Sequence, residues 1–459
     1  MDKRPYRVKL KYIRMKNYYW MVLCLVGILS ACETTEPREQ MTPPFKDNQK
    51  VTVADVERGI RSYIREETND GEGFFTIETD SVPMQLKLVR VHTEYLSVLG
   101  PQRYFACVDL VDTHGDVYDV DFFLEGTAQE MGVTETTVHK LNGKPFYSWK
   151  QKKDKTWGKV PVKEASNDLL GVIENRDSFV FHYEVTIPPL SDSGKLWLPK
   201  ASSDDWQNIE VVRQDFPSSV MELRDFQYNN EVLLATIPPH KEAQTIGISY
   251  RVVRKEKAAY EDAAPNELSL EASPLLPTGG RFQTIVDSVL EDKTEESDLV
   301  KARALYDYVI ETVKYAKEGT YGTGDANFAC DSRSGNCTEF HSFFISLART
   351  AHIPARFAIG AAIPSNRNEG GVNGYHCWAE FYADGKWWPI DISEGNKYTA
   401  LATYYFGHHP ANRIELSKGR DLILQPGPES GAIPFLAYPV MEVLGKDQKV
   451  QVQFTFERL

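Results

Sequence analysis

The chain has 459 residues, of which 42% are hydrophobic, and it carries a formal net charge of −13. At this length we expect about three domains, each with a core of its own. The acidic excess excludes the basic footprint of a nucleic-acid-binding protein and disfavours attraction to anionic lipid.

The N-terminus predicts an export signal. Basic residues crowd the first 17 positions, and an apolar stretch follows over 18–29. That stretch is too short to span a bilayer and is typical of a signal peptide. Met15 is an alternative start, because a signal that begins there has ordinary proportions. Residues 32–50 are polar and contain prolines, which predicts a tether.

The end of this signal, Leu29-Ser30-Ala31-Cys32, resembles a bacterial lipobox. The resemblance implies a signal peptide over 1–31, cleavage before Cys32 and lipidation of the Cys32 thiol. Several acyl chains hold a protein firmly on a membrane. We therefore expect a lipoprotein of the cell envelope, on the periplasmic or the outer surface.

Residues 51–160 predict a small α+β domain. Apolar residues recur with helical spacing from Val53 to Glu66, and four alternating segments follow at 85–99, 104–111, 116–124 and 133–141. Glycine turns separate the last of them. One helix and a curled antiparallel sheet resemble cystatin-like or nuclear-transport-factor-like domains. Docking or inhibition is the role we expect, since no catalytic pattern stands out.

Residues 165–255 predict an immunoglobulin-like β-sandwich. Short alternating segments recur with prolines between them, as in Pro188-Pro189 and Pro238-Pro239. A linker rich in Ala, Glu and Pro follows over 256–280. Two segments with helical periodicity, 282–290 and 299–313, then lead toward the residues that carry chemistry.

Cys337 is predicted to open an amphipathic helix. Apolar residues follow it with helical spacing, and Pro354 limits the helix. Asn336 is a favoured N-cap residue, and Glu339 lies where a capping box requires it. The N-terminus of a helix stabilises a thiolate. These features make Cys337 a candidate nucleophile.

A hairpin supplies a candidate base and its carboxylate partner. His376 lies in the alternating aromatic strand from Tyr375 to Tyr382, Asp384-Gly385 predicts a tight turn, and Asp391 follows in the returning strand. Cross-strand pairing can bring imidazole and carboxylate into contact. A thiol, an imidazole and an orienting carboxylate are the groups that acyl transfer requires.

Structural explanations of the same residues stay open at this point. A lone buried cysteine often serves only packing. In an oxidising compartment a disulfide Cys330–Cys377 or Cys330–Cys337 is an alternative. Cys337 and His341 share a helix face with zinc-ligand spacing, and His376 and Cys377 would complete a zinc site.

The segments GNCTEFHSFFISLARTAHIPARFAIG and YHCWAEFYADGKWWPIDIS, within residues 280–445, closely resemble the transglutaminase-like superfamily of papain-like thiol enzymes. The resemblance implies Cys337 as nucleophile, His376 as general base and acid, and Asp391 as the residue that orients the imidazole. It also implies a catalytic domain over 256–459 with helices packed on an antiparallel sheet, in the α+β class. No cofactor is implied.

Relatives stabilise the oxyanion with the cysteine amide and a side chain upstream of it. The candidates here are Tyr321 and Asn327, because either side chain can donate a hydrogen bond to a developing oxyanion. A polar turn in a glycine-rich loop explains them equally well. Trp378 and Glu380 flank the histidine and are candidates for shaping the cleft.

The sequence therefore predicts an envelope lipoprotein that cleaves or transfers at a peptide or amide bond through a cysteine acyl-enzyme. We favour hydrolysis over transfer. The envelope location of the protein makes cell-wall peptide or an imported protein the natural substrate. Two alternatives remain: a non-catalytic binding module with the same fold, and a structural zinc protein.

Overall fold

The computed structural model describes residues 51–70, 73–77, 83–100, 102–151, 157–161, 171–217, 219–317, 321–397 and 401–459. The predicted signal peptide, the tether and Cys32 lie outside these residues. Within the described ranges, no helix is long and apolar enough to cross a membrane. The described chain forms an N-terminal sheet with a helix, a β-sandwich, and a core of helices on a sheet.

An α-helix packed on a six-stranded antiparallel sheet forms the N-terminal unit. Val56, Ile60 and Ile64 share one face of the helix and are buried against the sheet, as their helical spacing predicts. The elements are α1 (Val53–Asp70), β1 (Phe75–Ile77), β2 (Met84–Gly100), β3 (Arg103–Asp112), β4 (Val117–Gly126), β5 (Met131–Leu141) and β6 (Lys144–Pro145), paired in chain order. A hairpin of β7 (Tyr147–Gln151) and β8 (Trp157–Pro161) follows.

Two five-stranded sheets face each other as a β-sandwich. Every second residue from Phe179 to Ile187 is buried, as the alternation in the sequence predicts. Strands of the first sheet are, in order, β12 (Val220–Arg224), β13 (Glu231–Ile237), β10 (Gly194–Lys200), β22 (Val440–Val443) and β23 (Lys446–Asp447). Strands of the second are β11 (Gln207–Asp215), β14 (Gln244–Lys255), β9 (Arg176–Ile187), β24 (Gln451–Arg458) and β18 (Glu369–Val372).

The sandwich takes strands from the end of the chain, so the predicted boundaries 165–255 and 256–459 are wrong. β24 pairs with β9, with Phe454 opposite Tyr183, and β22 pairs with β10. Phe454 and Phe456 are alternate residues of β24, and both are buried in the sandwich core. Strands from the end of the chain therefore extend both sheets and complete the core of the sandwich.

The catalytic core packs helices on a four-stranded antiparallel sheet, which confirms the predicted α+β class. Its central helix is buried along its whole length, in contact with the sheet and with other helices. The helices are α2 (Arg281–Val289), α3 (Asp298–Thr312), α4 (Ala326–Ser332), α5 (Cys337–Thr350) and α6 (Ile392–Lys397). The sheet has the order β20 (Lys386–Ile390), β19 (His376–Ala383), β17 (Ala355–Ala362), β21 (Arg413–Lys418), and the short strands β15 (Lys314–Tyr315) and β16 (Ser334–Gly335) pair beside it.

Ion pairs join the N-terminal sheet to the catalytic core. Arg303 of α3 is buried and lies 2.9 Å from the Asp109 carboxylate of β3. Next to it, Arg90 of β2 lies 2.7 Å from Asp307 of α3. Removing one partner of a buried ion pair leaves an uncompensated charge, so these pairs oppose separation of the two units.

Candidate active site

The N-terminus of α5 is fixed by a complete capping box, as predicted. The Asn336 side chain accepts a hydrogen bond from the Thr338 amide at 2.8 Å, and Glu339 accepts one from the Asn336 amide at 3.0 Å. Cys337 is consequently the first residue of the helix and is 3% exposed. Its amide N–H is one of the helix donors that have no partner within the helix. The helix dipole favours negative charge on its sulfur.

The hairpin brings His376 and Asp391 into direct contact. β19 and β20 pair antiparallel, with Ala379 opposite Ile390. His376 begins β19 and Asp391 directly follows β20, so both side chains lie at one end of the pair. His376 Nε2 and Asp391 Oδ2 are 2.6 Å apart. Because an ionised carboxylate only accepts hydrogen bonds, Nε2 donates and Nδ1 remains to face the thiol of Cys337.

The Asp391 carboxylate is held on both oxygens. Oδ1 accepts hydrogen bonds from the Ser393 hydroxyl at 3.0 Å and from the Glu394 amide at 3.1 Å. Burial alone would raise the pKa of Asp391, but the positive charges of His376 and of buried Arg413 hold it well below its usual range. Asp391 is therefore ionised and oriented toward the imidazole.

Charge interactions favour a thiolate–imidazolium pair. A hydrogen bond from Cys377 lowers the pKa of Cys337 well below its ordinary value, against the effect of burial, and the hydrogen bond and charge of His376 add to this. Burial opposes protonation of His376, but Asp391 and Cys337 raise its pKa to about 9. Cys337 and His376 thus hydrogen-bond with opposite charges near neutral pH, the arrangement of an activated thiol.

His341 connects the nucleophile helix to the Asp391 segment. Its Nδ1 donates to the Cys337 carbonyl at 2.7 Å, and its Nε2 accepts from the Ile392 amide at 3.0 Å. These two bonds define a neutral tautomer, and burial lowers the pKa of His341. From the sequence, His341 was considered only as a zinc ligand. Its bond to the Ile392 amide was missed, because no sequence spacing indicates a contact between these distant segments.

The structure does not arrange these residues for the zinc or disulfide alternatives. Both nitrogens of His341 are occupied by backbone groups, and Nε2 of His376 is occupied by Asp391. In the described part of the chain, neither of the two groups whose ligand atoms lie close enough for a metal includes Cys337. The described cysteines 107, 330, 337 and 377 are all free thiols.

Two residues beside His376 complete the surroundings of the nucleophile. Cys377 is buried, hydrogen-bonds to Cys337, and has its sulfur 3.6 Å from His341 Nδ1. Tyr375 accepts a hydrogen bond on its hydroxyl from Asn336 Nδ2 at 3.3 Å, which leaves the hydroxyl proton free to be donated. Burial and the negative charge of Cys337 raise the pKa of Tyr375, so it stays protonated. The sequence signal for both was their adjacency to His376.

The oxyanion role of Tyr321 and Asn327 stays a prediction. Tyr321 is exposed in a turn, and Asn327 lies in the first turn of α4, a helix where we predicted a loop. Among hydrogen bonds of the described residues, none joins either side chain to Cys337 or His376. Glu339 fixes the intervening loop instead, by accepting hydrogen bonds from the Gly322 and Gly324 amides at 2.8 Å.

The predicted cleft residues are buried rather than exposed in a cleft. Trp378 packs on His409, with ring centroids 4.2 Å apart. Glu380 is fully buried and pairs with Lys257 and with Arg356, at 2.7 Å from the latter. Both residues alternate with His376 along β19, and the Trp378 ring lies 6.3 Å from the imidazole. His409 covers Trp378 and Lys257 of the linker covers Glu380, so neither side chain is open to a cleft.

A family model described as transglutaminase-like superfamily matches residues 283–392. An uncharacterized protein of Haemophilus influenzae is 26% identical over 328 residues, which cover 59% of this chain and 88% of the relative. A crystal structure of a candidate cysteine protease from Cytophaga hutchinsonii has 16% identity and a TM-score of 0.34, and covers 62% of this chain and 99% of its own. The periplasmic domain of TgpA from Pseudomonas aeruginosa has 17% identity and a TM-score of 0.27, and covers 56% and 86%.

Proposed function

We propose that this chain, whose residues 283–392 are a transglutaminase-like core, is a cysteine-dependent enzyme acting on a peptide or amide bond. The observation that carries the proposal is the contact of His376 with Asp391 at 2.6 Å beside the thiol of Cys337. A structural cysteine needs neither the buried ionised carboxylate nor the imidazole that it orients.

In the first half-reaction the Cys337 thiolate attacks the carbonyl carbon and a C–S bond forms. The carbonyl electrons move to the oxygen, which becomes an oxyanion. The imidazolium of His376 gives its Nδ1 proton to the leaving nitrogen as the C–N bond breaks, and an amine departs. A thioester on Cys337 remains. Asp391 stabilises the imidazolium before that transfer and keeps the ring in place.

In the second half-reaction water replaces the amine. Neutral His376 takes a proton from the water while its oxygen attacks the thioester carbonyl. The C–S bond breaks, the carboxylic acid product leaves and loses its proton to solvent, and the thiolate–imidazolium pair is restored. An acceptor amine in place of water would give transfer, and we propose hydrolysis as the reaction.

We assign the oxyanion donors to the Cys337 amide and the Tyr375 hydroxyl. The amide opens α5 and lacks a partner within the helix. The hydroxyl already accepts from Asn336 and carries a proton to donate. Removing one such donor costs on the order of 100- to 1,000-fold in turnover.

We propose the cell envelope as the location and a peptide of the cell wall or an imported protein as the substrate. The support is the apolar stretch 18–29 after basic residues and the Leu29-Ser30-Ala31-Cys32 run, with lipid attached at Cys32. These residues precede the described part of the chain.

The test is turnover by the full-length protein, with Cys337→Ala as the matched control. Cell-wall muropeptides and unfolded proteins are incubated in ¹⁸O-labelled water with and without a primary amine, and products are read by mass spectrometry. Hydrolysis predicts Cys337-dependent cleavage with one ¹⁸O in the new carboxylate. Incorporation of the amine would show transfer instead. Cleavage that persists in Cys337→Ala would contradict the proposal, and a wild type inert toward all substrates would favour the binding module.

A further inference from the structure

A second cluster of reactive side chains lies on the N-terminal sheet, away from Cys337. Cys107 on β3, Asp119 and Asp121 on β4, and His139 on β5 share the face opposite α1. Cys107 pairs directly with Asp121 across the strands. The pairing of β4 with β5 shifts register between Asp119 and Val120, and His139 is the extra residue of this bulge. Bulges re-aim side chains, and this one turns His139 toward both carboxylates.

The distances within the cluster match those of a tetrahedral zinc site. The four ligand atoms all lie within 4.8 Å of one another. Cys107 Sγ is 3.4 Å from Asp121 Oδ1, and His139 Nδ1 is 3.3 Å from Asp121 Oδ1 and 3.7 Å from Asp119 Oδ1. With metal–ligand bonds of about 2.0–2.3 Å, tetrahedral ligand atoms are separated by about 3.3–3.8 Å.

One buried oxygen of the cluster lacks a donor. Asp119 is 4% exposed; its Oδ2 pairs with Lys140 at 2.7 Å, whereas its Oδ1 has no hydrogen-bond partner and faces His139. Burying a carboxylate oxygen without a donor or cation is costly. This oxygen therefore points to a cation between the four side chains.

The charges also balance around a divalent ion. A Cys107 thiolate and two carboxylates contribute three negative charges, and a divalent ion with Lys140 contributes three positive ones. Asp109 on the same face does not disturb this balance, because Arg303 lies 2.9 Å from it.

We propose that Cys107, Asp119, Asp121 and His139 bind a divalent metal ion of the zinc class. Four protein ligands leave no open coordination position, which is typical of a structural site. The ion would cross-link β3, β4 and β5, the strands whose Asp109 receives Arg303 of the catalytic core. The inference is independent of the proposed enzyme activity.

The test uses the full-length protein, stripped of metal with a chelator and titrated with Zn²⁺ by calorimetry. Wild type and Cys337→Ser are expected to bind one equivalent, whereas Cys107→Ser and His139→Ala are expected to bind none. Cys330→Ser is the matched control, a buried free thiol outside the cluster. Absence of binding in wild type, or an equivalent that is lost in Cys337→Ser and kept in Cys107→Ser, would overturn the proposal.

A second readout needs no change in the cluster, which covers the case in which its variants fail to fold. Co²⁺ replaces Zn²⁺ in the Cys337→Ser protein, and the visible spectrum is recorded. We expect strong d–d bands of tetrahedral cobalt and a near-ultraviolet band from sulfur-to-cobalt charge transfer. Weak octahedral bands without the charge-transfer band would overturn the proposal.

Discussion

Glu339→Gln should strongly destabilise the catalytic core. The fully buried carboxylate accepts four hydrogen bonds. Two reach Oε1 from the Gly322 and Gly324 amides, at 2.8 Å each, and two reach Oε2 from the Asn336 amide at 3.0 Å and the Thr338 hydroxyl at 3.2 Å. A glutamine has one acceptor oxygen, so its NH₂ group must face donors on one side.

The least costly orientation keeps the oxygen on the two glycine amides. The Thr338 hydroxyl can turn fully to Asn336 Oδ1, which it already contacts at 2.6 Å, but the Asn336 N–H is left buried without an acceptor. The unpaired Asn336 N–H costs about 1–3 kcal/mol. The bonds from the Gly322 and Gly324 amides weaken by about 1 kcal/mol each, because their acceptor becomes neutral. We expect a loss of about 3–5 kcal/mol in the free energy of unfolding of the core.

Thermal unfolding followed by near-ultraviolet circular dichroism measures this loss. For a unit of this size a change of 1 kcal/mol lowers Tm by about 2–4 °C, so we expect a fall of about 10 °C. Glu291→Gln is the matched control, because Glu291 lies exposed on the surface of the same domain and this substitution removes the same charge. A fall in Tm of less than about 2 °C beyond the control would refute this reasoning.

Three further predictions concern the triad, the oxyanion donor and the sandwich. Asp391→Asn removes the charge that raises the pKa of His376 to about 9, so Cys337 alkylation at pH 7.5 should slow about tenfold. The stability that protonated His376 contributes is fully present below about pH 6.5 and is lost as pH rises through about 9. The difference in Tm between wild type and Asp391→Asn should therefore shrink over that range. A difference that stays constant with pH would contradict this assignment. Tyr375→Phe should lower turnover about 100-fold while Cys337 alkylation keeps its rate, and equal losses in both would assign Tyr375 to positioning the thiol. Phe454→Ala should cost about 3–5 kcal/mol in thermal unfolding, whereas Leu459→Ala, at an exposed position, should cost almost nothing; similar effects would exclude β24 from the sandwich core.

Local patterns in the sequence were sufficient for the parts of the site that form within one element or one hairpin. The Asn336–Glu339 capping box depends on residues three apart, so sequence spacing predicts it. The contact of His376 with Asp391 depends on one tight turn, at Asp384-Gly385, where both residues have positive φ. Alternation predicted the buried face of β9 for the same reason.

Contacts between distant segments could not be read from such patterns. β24 joins β9 across more than 250 residues, and its alternation fits any half-buried strand. The two bonds of His341, one to its own helix and one to the Ile392 amide, depend on how α5 packs on the segment after β20. Alternation places Trp378 and Glu380 on the face of β19 that carries His376, but it does not show that His409 and Lys257 cover them.

The most direct test of the central claim is the rate at which iodoacetamide alkylates Cys337 in the full-length protein, measured across pH beside His376→Ala. Mass spectrometry of the peptide that contains Cys337 separates it from the other thiols. We predict that alkylation is already rapid near pH 6 and collapses in His376→Ala, because the imidazolium holds the sulfur as a thiolate. A rate that rises only near pH 8.5, the ordinary thiol value, and is the same in His376→Ala would contradict an assembled catalytic pair.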